Sequence, residues 1–210
     1  TTIRGTGTLI KGNGGRSNGI VPVLKCFETT AQYVDQGNKR PAAFAVYIEP
    51  WHVDIMDFLQ LRLKTGAAAR RTHDLNTALW IPDIFMRRAQ TDGHWTLMCP
   101  NECPGLAESH GDDFEKLYLQ YEAEGRGKKL EGGARKVFDA LVLSLGESGE
   151  PYCMFKDTVN RCNNQCKETI QHSNLCVTGD TQLLTSEGPR AIGSLVPGSN
   201  VQSVEQSARA

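Results

Sequence analysis

Residues 42–48, AAFAVYI, form a short and almost wholly apolar run between a polar loop and Glu49-Pro50. A run of that length without polar alternation reads as a strand covered on both faces, the kind that parallel sheets use. The segments around it change period. Ile20, Leu24, Phe27, Ala31 and Val34 recur in steps of three and four, which predicts a helix with one apolar stripe. Residues 52–63 predict another, with Ile55, Phe58 and Leu59 inward. Residues 95–99 (WTLMC) suit a short strand. Asp112 and Asp113 open a helix that sets Phe114, Leu117, Tyr118 and Tyr121 on one face, since acidic side chains favour a helix N-terminus. Residues 134–145 carry the stripe Ala134, Val137, Phe138, Leu141 and Leu145, and Pro151 introduces a strand, YCMFK. Helices alternating with apolar strands predict an α/β architecture, and the alternation alone suits a barrel or an open sheet.

The texture changes after residue 176. The stretch VTGDTQLLTSEGPRAIGSLVPGSNVQSVEQ has no helical stripe. Its β-prone runs, 181–185 and 200–204, are separated by turns at Glu187-Gly188-Pro189 and Pro197-Gly198, the pattern of a second, all-β domain beginning.

Composition narrows the function. A 39% hydrophobic, 22% charged chain of 210 residues has the apolar content of a globular protein with a sizeable core. A net charge of -1 gives no electrostatic footprint for a nucleic-acid backbone. No apolar run of about 18 residues is present, so no membrane helix is expected. The opening Thr-Thr-Ile-Arg has neither a Met nor a signal pattern, which suggests a piece of a longer chain. Seven cysteines without a secretory signal suggest free thiols in a reducing, cytoplasmic setting. Two C-x3-C pairs, Cys99/Cys103 and Cys162/Cys166, have a spacing that zinc permits, although small buried thiols explain them as well.

Taken singly, the remaining motifs are weak. The Gly-rich GNGGRSNG could cradle phosphates through backbone N–H groups, but it fits neither the phosphate-loop nor the dinucleotide fingerprint, and a plain turn explains it. In DQGNKRP, Lys39 and Arg40 suit phosphate or carboxylate and Gln36 a base edge, against a solvated turn. Glu49 and His52 could form an acid/base pair, against a structural histidine at a helix start.

Order and wording say more. IRGTGTLIKGNGGRSNGIVP, YVDQGNKRPAAFAVYIEPWH, ALWIPDIFM, LMCPNECPGL, FEKLY and SNLC follow one another from residue 1 to 176. Together they resemble the large, catalytic subunit of class I ribonucleotide reductases. The resemblance implies part of that family's ten-stranded α/β barrel over residues 1–175, and radical reduction of ribonucleotides, usually diphosphates, at the 2′-carbon. It implies that Arg4 and the Gly-rich segment help hold a nucleoside triphosphate effector at a homodimer interface. Asp35, Gln36, Lys39 and Arg40 would lie on the loop that relays effector identity to the substrate base. Here that loop has one glycine, Gly37, where the family usually has two. The expected partners are a metal-containing small subunit that supplies the radical, and thioredoxin or glutaredoxin as reductant, with no metal held by this chain. Class II reductases, which use adenosylcobalamin, share parts of the pattern, but the YVDQ…KRP…EPWH wording looks like class I.

Asn174 matches the family asparagine that hydrogen-bonds a substrate hydroxyl, and Cys176 stands at the radical cysteine. The family then has a catalytic Glu two residues later, where this chain has Thr178. From Cys176 onward, CVTGDT resembles instead the first block of an intein, and AIGSLVPGSNVQS its early β-strands. Residues 176–210 are therefore expected to begin an intein (Hint) domain. Cys176 would be its nucleophile, attacking the Leu175 carbonyl in an N-to-S acyl shift. Two rival readings are half of a split self-splicing precursor and a zinc-stabilised nucleotide-binding module. On the intein reading, the purified 210-residue chain neither splices nor reduces nucleotides, and an assay that detects deoxynucleotide formation by it would contradict this.

Overall fold

The computed structural model describes residues 2–12, 14–34, 42–163, 168–173, 179–196 and 198–201. The chain forms two compact units, Thr1–Gln171 and His172–Ala210. In the first, α1 (Ile20–Tyr33) leads to β1 (Phe44–Ile48), α2 (Ile55–Leu59), β2 (Leu75–Ile81), α3 (Asp83–Gln90) and β3 (Trp95–Leu97). There follow α4 (Gly111–Ala123), β4 (Lys128–Leu130), α5 (Gly133–Ser148), β5 (Tyr152–Phe155) and α6 (Lys156–Arg161). Strands β1, β2 and β5 make a parallel sheet with β2 central, and β3 pairs antiparallel with β4. The expected α/β class holds, but among the described residues the parallel sheet is open and three-stranded rather than a closed barrel.

Central β2 is buried along almost its whole length, so neither a two-residue nor a helical period marks it in the sequence. β1 is less covered than its composition suggests, with Ala45 exposed and only Ile48 fully buried, because it lies at the sheet edge. Helix α2 is shorter than the predicted 52–63, although Ile55, Phe58 and Leu59 are buried as expected. Beyond it, i→i+3 bonds from Gln60, Leu61 and Leu63 continue the chain as tighter turns. The α1 stripe buries Ile20, Leu24 and Ala31, while Phe27 and Val34 stay exposed at 43% each, Phe27 against the Phe44 ring. On α5 Leu145 likewise faces outward.

The core gathers between the sheet and α2 to α5. Trp95 stacks on Tyr118 at a centroid distance of 4.7 Å and meets Phe85 edge-on at 5.2 Å. Its indole N–H donates to the Pro50 carbonyl. Arg88 lies over both the Trp95 and Tyr118 rings. Its guanidinium donates twice to Glu122, at 3.1 and 2.8 Å, and the same carboxylate accepts from Thr96 Oγ1.

The second unit contains a hairpin of β6 (Gln182–Thr185) and β7 (Gly188–Ala191). The turn is Ser186-Glu187, so Gly188 and Pro189, read from sequence as turn residues, open a strand instead. Val201 makes an isolated antiparallel bridge to Thr185. Only that start of the second β-prone run lies within the described residues.

The Glu122 cluster generates a pH prediction. Burial pushes the Glu122 carboxyl up, but the bonds from Arg88 and Thr96 more than offset it, and its pKa lies below the ordinary glutamate value. A lowered folded pKa contributes stability above the unfolded value of about 4.3, lost as pH falls through the folded value. Glu122→Gln is expected to lose stability at pH 7 and to narrow the gap between urea midpoints at pH 7 and pH 3.

Candidate functional site

Parallel sheets present ligands at the C-terminal ends of their strands. Here those ends carry charge: Glu49 follows β1, Asp83 follows β2 by two residues, and Lys156 and Asp157 follow β5. Lys156 is fully buried, and its ammonium donates to both Glu49 carboxylate oxygens at 2.9 Å and to the Leu106 carbonyl at 2.9 Å. It also sits 4.6 Å from the Phe114 ring centroid. Trp51 Nε1 donates to the same Glu49 carboxylate at 2.8 Å. Burial pushes the Glu49 carboxyl up, and Lys156 and Trp51 offset part of that. All three ammonium protons thus have acceptors, the condition for a charge to persist in a core.

Asp157 joins two further elements. Its carboxylate accepts the backbone N–H of Asp83 at 2.7 Å and of Gly111 at 2.6 Å, the first residues of α3 and α4. Neither helix has a side-chain cap of its own, so Asp157 supplies the missing acceptor to both. Asp54 does the same for α1, accepting the Ile20 N–H at 3.1 Å and the Thr6 N–H at 3.1 Å to each oxygen.

Among its described residues the Gly-rich segment is hairpin-like. Gly7 N–H bonds Ser17, Ser17 N–H bonds Thr8, and Ile10 N–H bonds Gly15. Both ends press on the turn after β1. A Cβ on Gly5 would stand 1.9 Å from Val53 Cγ1; one on Gly19, where φ is 75°, would stand 2.5 Å from Asp54 Oδ2. His52 belongs to the same clasp. Its Nδ1 accepts the Asp54 N–H, which leaves the proton on Nε2 to donate to the Ile3 carbonyl at 2.8 Å. Burial holds its pKa below the ordinary histidine value, so the ring is neutral at pH 7, and its two nitrogens are committed. The acid/base pairing of Glu49 with His52 does not form: each has other partners.

Arg4 donates to the Leu9 carbonyl and to Asn101 Oδ1 at 2.9 Å. It lines a cleft of about 600 Å³ together with Trp51, Asn101, Cys103 and Glu108. Burial pushes the Cys103 thiol up to about 11, so it stays protonated at neutral pH. Cys99 accepts the Gly5 N–H, Cys162 is exposed, and Cys166 lies outside the described residues. Among the described residues no three metal-ligating side chains cluster.

Of the residues singled out from sequence, Asp35, Gln36, Lys39, Arg40, Asn174 and Cys176 lie outside the described residues. Their flanks are tied down. The Ala42 N–H reaches the Val34 carbonyl at 3.3 Å, closing the base of the Asp35-to-Pro41 loop. Before Asn174, the Asn160 side chain bonds both the N–H and the carbonyl of Ile170, at 2.6 and 3.1 Å. Asn160, Lys156, Asp157 and Asp54 are site-building residues that sequence reasoning missed. Their partners lie 10 to 107 positions away, beyond the reach of any local pattern.

A parallel sheet packed among helices, with charged residues at its strand ends, defines an α/β protein, and comparison narrows the class. Residues 1–179 match the family described as "Ribonucleotide reductase, barrel domain", to which the chain belongs. It is 54% identical over 176 residues to the ribonucleoside-diphosphate reductase large subunit of Danio rerio, a match covering 83% of this chain and 22% of that protein. The corresponding large chain of Neurospora crassa is 54% identical over 176 residues, covering 83% and 19%. The large subunit of Caenorhabditis elegans is 50% identical over 192 residues, covering 90% and 24%. The chain thus spans about a fifth to a quarter of the length of these curated relatives.

The buried pair makes a direct prediction. Lys156→Met leaves Glu49 without its counter-charge and is expected to cost about 3–5 kcal/mol. The double variant Glu49→Gln/Lys156→Met should recover part of that loss, as measured by urea unfolding of the four-member cycle.

Proposed function

We propose that residues 1–175 are part of the catalytic barrel of a ribonucleoside-diphosphate reductase large subunit and that an intein begins at Cys176. The observation that carries the first half is the match of residues 1–179 to the barrel-domain family, with identity of 50% or more to named large subunits. On this reading the whole enzyme converts ribonucleotides to deoxyribonucleotides for DNA synthesis in the cytoplasm. The large subunit works as a homodimer with a metal-containing small subunit, which supplies the radical, and is re-reduced by thioredoxin or glutaredoxin. Nucleoside triphosphate effectors bind at Arg4 and the Gly-rich loop, and Asp35, Gln36, Lys39 and Arg40 relay their identity to the substrate.

In the joined protein a cysteine thiyl radical takes the ribose 3′-hydrogen, a carboxylate takes the 3′-hydroxyl proton, the 2′-hydroxyl leaves as water, and two further cysteines supply two electrons and two protons and become a disulfide. Asn174 hydrogen-bonds a substrate hydroxyl. Support for the second half is local: Ser173-Asn174-Leu175-Cys176 keeps the reductase wording, and Val177-Thr178-Gly179-Asp180 leaves it where a catalytic Glu would stand. Cys176 is then a splicing nucleophile whose sulfur attacks the Leu175 carbonyl, and excision would bring the reductase's own cysteine to Leu175. A split precursor, with the remaining intein blocks on a second chain, is the alternative reading.

Both halves are tested with the gene's complete product. Mass spectrometry should find a ligated large subunit that has lost the residues after Leu175, and Cys176→Ala should abolish ligation. The ligated subunit, given a small subunit and reductant, should form deoxynucleotides. A product that retains Val177-Thr178-Gly179 and still reduces nucleotides would refute the intein assignment alone.

A further inference from the structure

We propose that Asn160 is a positioning residue for the reductase reaction, its carboxamide fixing the backbone of Ile170 at the start of the short stretch that leads to Asn174. The inference rests on the reading of Asn174 as the group that hydrogen-bonds a substrate hydroxyl. Ile170 lies in no helix or strand, so no ladder supplies its backbone with partners. Asn160 supplies them instead. Its Oδ1 accepts the Ile170 N–H at 2.6 Å, and its Nδ2 donates to the Ile170 carbonyl at 3.1 Å. The other Nδ2 proton goes to the Lys156 carbonyl at 2.9 Å. A carboxamide carries a donor and an acceptor side by side, as a neighbouring strand would present them. An aspartate would turn an oxygen toward both carbonyls, and an aliphatic side chain would leave the Ile170 N–H and C=O unpaired.

A residue that positions another must itself be held still. Asn160 is buried on α6 together with Lys156 and Asp157, and each of those two is tied down. Lys156 is bound to Glu49 and to the Leu106 carbonyl, and Asp157 to the first residues of α3 and α4. Arg161 adds a bond to Asp83 at 3.1 Å. Helix α6 is thereby fastened to the residues that follow β1 and β2. Beside Ile170, the Thr169 hydroxyl donates to the Glu108 carbonyl, so two consecutive residues are held from two different parts of the fold. Four residues separate Ile170 from Asn174, at most about 14 Å of fully extended chain, and the anchor bounds how far the Asn174 amide can stray. Reacting groups tolerate little error: a misplacement of about 1 Å costs on the order of 100-fold in rate. A contact at the reacting ribose counts most in the transition state, so its misplacement lowers kcat and kcat/KM together.

The experiment uses the ligated large subunit, made from an uninterrupted gene so that splicing plays no part. It is assayed with the small subunit, reductant, cytidine diphosphate as substrate and adenosine triphosphate as effector. The wild type is compared with Asn160→Leu, Asn160→Asp and Thr169→Val, each checked by near-ultraviolet circular dichroism and urea unfolding. Ser144→Ala controls for stability alone, since it removes a buried hydrogen bond to the Glu150 carbonyl. Asn160→Leu is expected to lose about 100-fold in kcat while KM stays within about threefold. Asn160→Asp keeps the acceptor for the Ile170 N–H and should lose less, and Ser144→Ala should lower the urea midpoint and keep its kcat. Should Asn160→Leu fail to fold, Asn160→Asp and Thr169→Val read the same split between kcat and KM. A folded Asn160 variant with wild-type kcat, or with only KM raised, would overturn the inference and leave the role of Asn174 standing. So would a loss of kcat in Ser144→Ala as large as that in Asn160→Leu. A wild-type ligated subunit that forms no deoxynucleotide would remove the reading and the inference together.

Discussion

A fully buried lysine holds the strand ends together. Lys156 and Glu49 are 107 positions apart, and neither charge would persist in the core alone. Their pairing fixes the end of β1 against the start of α6, and the third ammonium bond draws in the Leu106 carbonyl. Trp51 completes the Glu49 carboxylate and thereby sets its own ring against the cleft. Removing either charge unsettles the opening of the turn, the cleft wall and the strand ends at once.

Two aspartates extend the same logic to the helices. α1, α3 and α4 begin without a capping side chain of their own. Asp54 and Asp157 satisfy those first N–H groups from distant turns, where each carboxylate also gains from the positive end of a helix. The arrangement makes the helices and the Gly-rich loop depend on tertiary docking. A loop with so many glycines would otherwise have little reason to hold one shape.

Cys176 carries two readings that exclude each other in one molecule. A splicing nucleophile must break the peptide bond before it, whereas a radical cysteine must leave the backbone alone. The residues before it keep the reductase wording and those after it leave that wording, which is the ground for the intein proposed above. On the proposed intein reading, insertion at that position would keep the reductase silent until the intervening segment is removed.

Much of this was legible from the residues. The stripes of α1, α4 and α5 and the apolar run of β1 follow from local periodicity, because burial of one face repeats every three to four residues in a helix. The ordered motifs named the family. Other features were not legible. β2 has no period because both its faces are covered, α2 stops early, and Gly188-Pro189 opens a strand rather than making a turn. His52 looked like half of an acid/base pair until both ring nitrogens were seen to be engaged. The sequence by itself determined which segments fold and to which family they belong, since periodicity and motif order are properties of neighbouring residues. Only the tertiary structure decided that Lys156 meets Glu49, that Asp54 and Asp157 cap helices they do not belong to, and that one six-residue turn touches both cleft and loop. Those are contacts between residues far apart in the chain, and no local pattern encodes them.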